Sequence, residues 1–299
     1  MSGPDRPDTR AERATYLVIA TVNRIARALP TRTGRLLFAW LGGVAYHALP
    51  DLRRLVAANQ ARVLGRAPED PLVTGSTKEA FRLYARYWFD TFHITRWSDE
   101  KVRAAFRIEG IDALYEPVEA GSGVIVVLPH TGNWDAAGRV VAAHGLSVVA
   151  VAEELRPREL FDLFVRAREL SGVRIVGHGR GRVGQRLAEA LAEGSVVALV
   201  ADRDLNGRGI EVEMFGAARR LPAGPAMLAL SSGAPIVVAE VNQTPDGWGA
   251  VFRRLPDVAR TGDRRADATA ITKEIARAFE RAISAHPEDW HMFQPAWEA

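Results

Sequence analysis

Gly123-Val124-Ile125-Val126-Val127-Leu128-Pro129 runs directly into His130-Thr131-Gly132-Asn133-Trp134-Asp135. The first half reads as a buried strand, and the second as the point where that strand ends and a helix begins near Asn133. Open α/β sheets expose their chemistry at strand ends. A helix starting near Asn133 is expected to bring Asp135 back toward the imidazole of His130. The carboxylate would then fix one tautomer of the ring and stabilise its protonated form, which makes His130 a general base for a hydroxyl. A structural hydrogen-bonded His/Asp pair is the competing reading. Gly132 favours catalysis, because it leaves room for a substrate. The chain also has no cysteine and no Gly-x-Ser-x-Gly elbow, so attack by the substrate's own hydroxyl is expected rather than a covalent enzyme intermediate.

Outward from this block, strands are predicted at 147–152, 173–176, 195–201 and 210–215, with two more at 235–241 and 248–252. Helices fit at 157–170 and 183–193 between them. This alternation predicts an α/β fold with a mixed, largely parallel sheet flanked by helices. Ile271, Ile275, Ala278, Phe279, Ala282 and Ile283 give a final helix its core stripe. Upstream, two helical segments lie between 14 and 50, broken near Pro30, and more helices follow over 51–97. Tyr84, Tyr87, Trp88, Phe89 and Phe92 are assigned to the core. The expected organisation is a charged, disordered tail over 1–13 and one domain over 14–299. That domain has a helical part (14–100) and an α/β core (101–299).

The chain has 299 residues, is 47% hydrophobic and carries a formal net charge of +3. Lys78, Lys101 and Lys273 are its only lysines, so the basic pI of about 9.5 comes from arginine. Guanidinium groups suit bidentate phosphate recognition. Basic residues are not interleaved with aromatics in a block, which argues against nucleic acid as a partner. The uncharged run 36–50 falls short of the roughly 18–20 apolar residues that a membrane span needs. The two segments before Pro50 present apolar faces flanked by Arg24, Arg27, Arg32 and Arg35. Such faces either lie in the headgroup region of an anionic bilayer or pack on the core.

Other constellations compete with the histidine. Gly179-Arg180-Gly181-Arg182-Val183-Gly184 matches the dinucleotide-binding pattern, with Asp202 at the end of the next strand. The preceding strand is short and the unit lies mid-chain, so a glycine-rich surface loop is the stronger reading of it. Asp202-Arg203-Asp204 ends a strand and could position His130, bind sugar hydroxyls or brace a loop; Glu153 and Glu154 end another. Glu211 and Glu213 follow on a predicted strand, and Arg168 lies on a predicted helix. Each of these also reads as a surface ion pair.

The His-x-x-x-x-Asp block with Gly-Asn-Trp inside it, the Asp202-Arg203-Asp204 segment and Phe215-Gly216 resemble the bacterial lipid A biosynthesis (lauroyl/myristoyl) acyltransferases. Within that superfamily the chain is most similar to the actinobacterial phosphatidylinositol mannoside acyltransferases. Asp135 stands where the gram-negative enzymes typically carry Glu. The resemblance implies a glycerolipid-acyltransferase-like fold, with the helical N-terminal part at the cytoplasmic face of the inner membrane. The activity it implies is transfer of a fatty acyl group from acyl-CoA or acyl carrier protein to a hydroxyl of an anionic glycolipid. His130 matches the family's base and Asp135 its orienting acid. Glu211 and Arg168 are the matches for a further Glu and Arg, with Glu153 and Asp204 as alternatives. Asn133, Arg168, Glu153, Asp202, Arg203 and Asp204 are candidate substrate-binding residues. Acyl-CoA is a co-substrate, and no metal or other cofactor is required. Backbone N–H groups near Gly132, or an arginine, would serve the oxyanion. An NAD-dependent oxidoreductase and a catalytically silent lipid-binding protein are the readings from other classes.

Overall fold

A computed structural model of the chain describes residues 8–153, 155–177, 182–204 and 207–297. Four long helices come first: α1 (Arg10–Ala28), α2 (Thr31–Ala48), α3 (Pro50–Leu64) and α4 (Pro71–His93). The α/β part follows as α5 (Asp99–Ala104), β1 (Phe106–Glu109), α6 (Asp112–Glu119), β2 (Val124–Leu128), α7 (Trp134–Ala143), β3 (Val148–Ala152) and α8 (Arg158–Leu170). It continues with β4 (Val173–Gly177), α9 (Val183–Ala192), β5 (Val196–Val200), β6 (Ile210–Met214) and β7 (Ala217–Leu221). The last elements are α10 (Gly224–Ser232), β8 (Ile236–Gln243), β9 (Trp248–Arg254), α11 (Arg264–Ala285) and a 3-10 turn, Pro287–Asp289.

Seven strands form one sheet in the order β1-β9-β8-β2-β5-β3-β4, parallel except for the β8–β9 pair. β2 is central and buried along its whole length, as its unbroken Val/Ile/Leu run requires. On one face of the sheet Ile125 and Val127 pack with α11 residues such as Ile275 and Phe279. On the other, Val124, Val126 and Leu128 meet Val140 and Val141 of α7. The pleat alone separates these two sets of side chains.

Two expectations are corrected. Residues 10–13 are the first turn of α1, not tail: Thr9 and Glu12 form a reciprocal capping box that satisfies the helix's first N–H groups. Residues 210–215 do not join the main sheet. β6 pairs antiparallel with β7 in a separate hairpin, and its Ile-Glu-Val-Glu-Met alternation buries one face only.

α4 ties the helical part to the sheet. Asp90 accepts from Arg35 on α2 (2.8 Å) and from Arg86 (3.2 Å), while Arg86 reaches the Gly247 carbonyl (3.1 Å) ahead of β9. Arg35, expected on a surface arginine flank, is therefore buried, with its guanidinium over the Trp248 ring.

Candidate active site

β2 and β5 are parallel neighbours with Leu128 opposite Val200. Two residues further along each chain come His130 and Asp202, so the strand register alone sets them side by side. The Asp202 carboxylate is fully buried and lies against His130 twice: Oδ1 meets Nδ1 of the ring, and Oδ2 accepts the backbone N–H at 3.0 Å. Burial favours the protonated acid, but the imidazole and Arg219 outweigh it and hold the carboxyl well below the usual range. With Nδ1 committed to Asp202, Nε2 is the ring nitrogen left to exchange a proton.

Asp135 does not reach His130. It occupies the first turn of α7, where its oxygens accept from Arg168 Nε of α8 (2.7 Å) and Tyr87 Oη of α4 (2.7 Å). The Trp134 indole stands beside both groups, 5.0 Å from the His130 ring and 4.2 Å from that of Tyr87. Burial would lower the Arg168 pKa, but Asp135 more than offsets it. The Tyr87 phenol is pushed far up, first by burial and then by the same carboxylate. Three helices are thus pinned by one charge.

Several expected substrate groups have other tasks. Asn133 caps α7, its Oδ1 accepting from the Ala136 N–H at 2.9 Å, and it is wholly buried. Glu211, expected among the catalytic groups, lies on the exposed face of the β6–β7 hairpin in a 3.7 Å ion pair with Arg220 and has no bond to His130. Gly132 is required by the backbone: φ is +59°, and a Cβ there would fall 2.6 Å from the Val241 carbonyl oxygen. Its N–H donates to the Asp289 carbonyl (3.0 Å) and cannot serve an oxyanion. The Gly179–Gly181 part of the glycine-rich loop, and Glu154, lie outside the described residues.

Glu153, Arg203 and Asp204 do converge with His130, Asp135 and Arg168 around one cavity of about 740 Å³. Its walls are mostly apolar. Ala150 and Ala198 are register partners on β3 and β5, and Ala137 and Gly138 of α7 face the same space. Small side chains at these positions leave unfilled what larger ones would close. Tyr84, Tyr87 and Trp88, assigned to the core, also line the cavity, with Tyr87 buried and the other two half-buried. Arg203 donates to the His291 carbonyl (3.2 Å), and Asp204 accepts from Gly209 N–H (2.6 Å).

The site also uses residues that sequence reading passed over. Trp290 Nε1 donates to Asp202 Oδ2 (2.9 Å), and Arg219 donates to the Asp202 carbonyl. His291 donates its backbone N–H to the His130 carbonyl (2.8 Å) and its ring lies against Gly132. No local pattern at 219 or 290 marks these roles, because they depend on which chain segments meet.

Fold and site together define an α/β enzyme with a His–carboxylate dyad at the strand ends and an apolar cavity beside it. The chain belongs to the bacterial lipid A biosynthesis acyltransferase family, whose sequence model matches residues 7–299, and it is an acyltransferase. Among its relatives, the phosphatidylinositol mannoside acyltransferase of Mycolicibacterium smegmatis is 34% identical over 278 residues, covering 92% of this chain and 89% of that protein. The protein of the same name from Mycobacterium tuberculosis is 37% identical over 281 residues, with 91% and 85% covered. The resemblance carried by the His130 block thus extends over nearly the whole chain.

Proposed function

We propose that this acyltransferase moves a palmitoyl-like group from acyl-CoA to a mannose hydroxyl of a phosphatidylinositol mannoside at a membrane surface. The observation that carries this reading is the opening of His130, backed by Asp202, onto an apolar cavity of about 740 Å³. The names of the two relatives supply the acceptor class. The acyl chain lies in the cavity with its thioester at the His130 end. Nε2 takes the proton as the sugar oxygen attacks the thioester carbonyl, and Asp202 stabilises the imidazolium. The tetrahedral oxyanion collapses, the C–S bond breaks, and the leaving thiolate takes the proton back from the ring. Arg203, on the cavity wall, is the cation that faces the oxyanion. Asp135 serves this reaction by holding α4, α7 and α8 around the cavity.

Leu17 and Val18 of α1 and Leu36, Trp40 and Leu41 of α2 are exposed, Leu36 by 73% and Trp40 by 62%. Arg10, Arg13, Arg24, Arg27 and Arg32 are exposed on the same two helices. Among the described residues no helix is long and apolar enough to cross a membrane. An apolar face with arginines beside it suits the interface of an anionic bilayer, and this supports peripheral attachment at the cytoplasmic leaflet.

Mass spectrometry after incubation with phosphatidylinositol mannosides and either palmitoyl-CoA or palmitoyl-carrier protein tests the assignment. An acceptor heavier by one palmitoyl group in the CoA arm is the expected result. Product in the carrier-protein arm alone would replace the donor. Product in neither arm, with NAD(H) bound, would overturn the reading.

A further inference from the structure

We propose that Trp290 is a positioning residue of the active site, whose indole N–H locks the Asp202 carboxylate in the rotation that presents Oδ1 to His130 Nδ1. The inference rests on His130 and Asp202 being the reacting dyad. A carboxylate on a single side-chain bond can turn, and a turned carboxylate no longer fixes the tautomer of the base. Here Oδ2 accepts two hydrogen bonds, from the His130 backbone N–H (3.0 Å) and from Trp290 Nε1 (2.9 Å). Two donors from different segments leave Oδ1 as the oxygen facing the ring. Asp202 and Trp290 are each 0% exposed, so solvent does not compete for these bonds.

Trp290 is itself held on several sides. It forms a β-bridge with Thr131, the residue after the base. The residues flanking it bond to the same loop: Asp289 accepts the Gly132 N–H, and His291 donates to the His130 carbonyl. The Arg219 guanidinium lies 5.3 Å from the Trp290 ring centroid and Trp297 closes the other approach at 5.9 Å. Segment 289–291, near the end of the chain, thus brackets the loop that carries the base. Trp290 does not line the cavity, so its influence on the reaction runs through Asp202. Arg219 on β7, Arg203 after β5 and His291 are the other charged or titratable groups facing the dyad.

Trp290→Phe keeps most of the ring volume and removes the donor. The expected result is a kcat lower by about 10- to 100-fold, the range seen when a hydrogen-bonded outer partner of a metal-binding histidine is lost, with KM unchanged for donor and acceptor. In an Asp202→Asn background the same change should cost less than about twofold, because the group through which it acts is already disabled. Wild-type protein with ¹⁵N-labelled indoles supplies a second readout: one slowly exchanging indole N–H resonance that shifts in Asp202→Asn. Fully additive losses, a rise in KM without a fall in kcat, or no indole resonance answering to Asp202→Asn would each overturn the proposal. If Trp290→Phe does not fold, the indole resonance decides alone. Unchanged turnover in Asp202→Asn or His130→Ala would instead remove the dyad itself, a separate and distinguishable result.

Discussion

Asp135 and Asp202 both stand within a few residues of a strand end, yet only Asp202 touches the imidazole. Sequence spacing favours Asp135, because five residues across a helix start look short. The bond to Asp202 spans 72 positions and depends on β2 and β5 being neighbours, which no local pattern reveals. His130 itself was legible as a candidate: a histidine directly after an apolar strand needs no tertiary information to be noticed. His130→Ala is expected to lower turnover by at least ~100-fold, the lower end for a lost general base, in a steady-state transfer assay. Asp135→Ala should act first on stability. It leaves the half-buried Arg168 charge and the Tyr87 hydroxyl without their partner, at a cost of about 1–3 kcal/mol, measurable as a fall in the thermal midpoint. Asp135→Leu combined with Arg168→Met should recover much of that loss, and a double variant no better than the single would contradict the brace.

Among the elements, α7 is the wall that shapes the cavity. A Cβ at Gly138 would come 3.2 Å from Val173 Cγ2, and both residues line the cavity, so a larger side chain there takes up part of its volume. Gly138→Leu is therefore expected to shift the donor preference toward shorter acyl chains, read from relative rates over a donor series. An unchanged preference would place the acyl chain elsewhere. α1 and α2 carry the other element-level prediction. Leu36→Asp with Trp40→Asp should weaken binding to anionic vesicles in sedimentation by at least about 100-fold, since each loses roughly 1.5–3 kcal/mol of apolar burial; unchanged sedimentation would remove the membrane face. The helices and long strands were legible because their apolar periodicity spans several turns or a full strand. β1 escaped notice because Phe106-Arg107-Ile108-Glu109 is short and half exposed, a pattern common in loops. The β6 strand was visible, but strand periodicity does not say which sheet receives it.

Across the whole molecule, the C-terminal segment closes the structure. Asn59 of α3 donates to the Met292 and Gln294 carbonyls, each at 2.9 Å, and Gln60 donates to Pro287 (2.8 Å). α3, the His130 loop and segment 287–294 thus meet in one region. Two titratable groups there tie its stability to pH. Burial, aided by Glu288, pushes the Asp289 carboxyl up to about 7, and burial pushes His291 down to about 3. The Asp289 contribution is fully present below its unfolded pKa near 4 and is lost as pH rises toward 7. The His291 contribution is fully present above about 6.5 and is lost as pH falls toward 3. Asp289→Asn should therefore gain on wild type as pH rises from about 4 to about 7, by on the order of 1 kcal/mol or more, since each pKa unit is about 1.4 kcal/mol. Thermal unfolding at pH near 4 and near 8 checks this, and a constant difference would contradict it.

The central claim is that His130 works with Asp202. It is tested most directly by the turnover of Asp202→Asn in acceptor-dependent thiol release from palmitoyl-CoA, with folding confirmed by circular dichroism. Loss of at least ~100-fold in kcat is the result the geometry predicts, because the amide cannot stabilise the charged ring. A folded Asp202→Asn enzyme that turns over at the wild-type rate would contradict it.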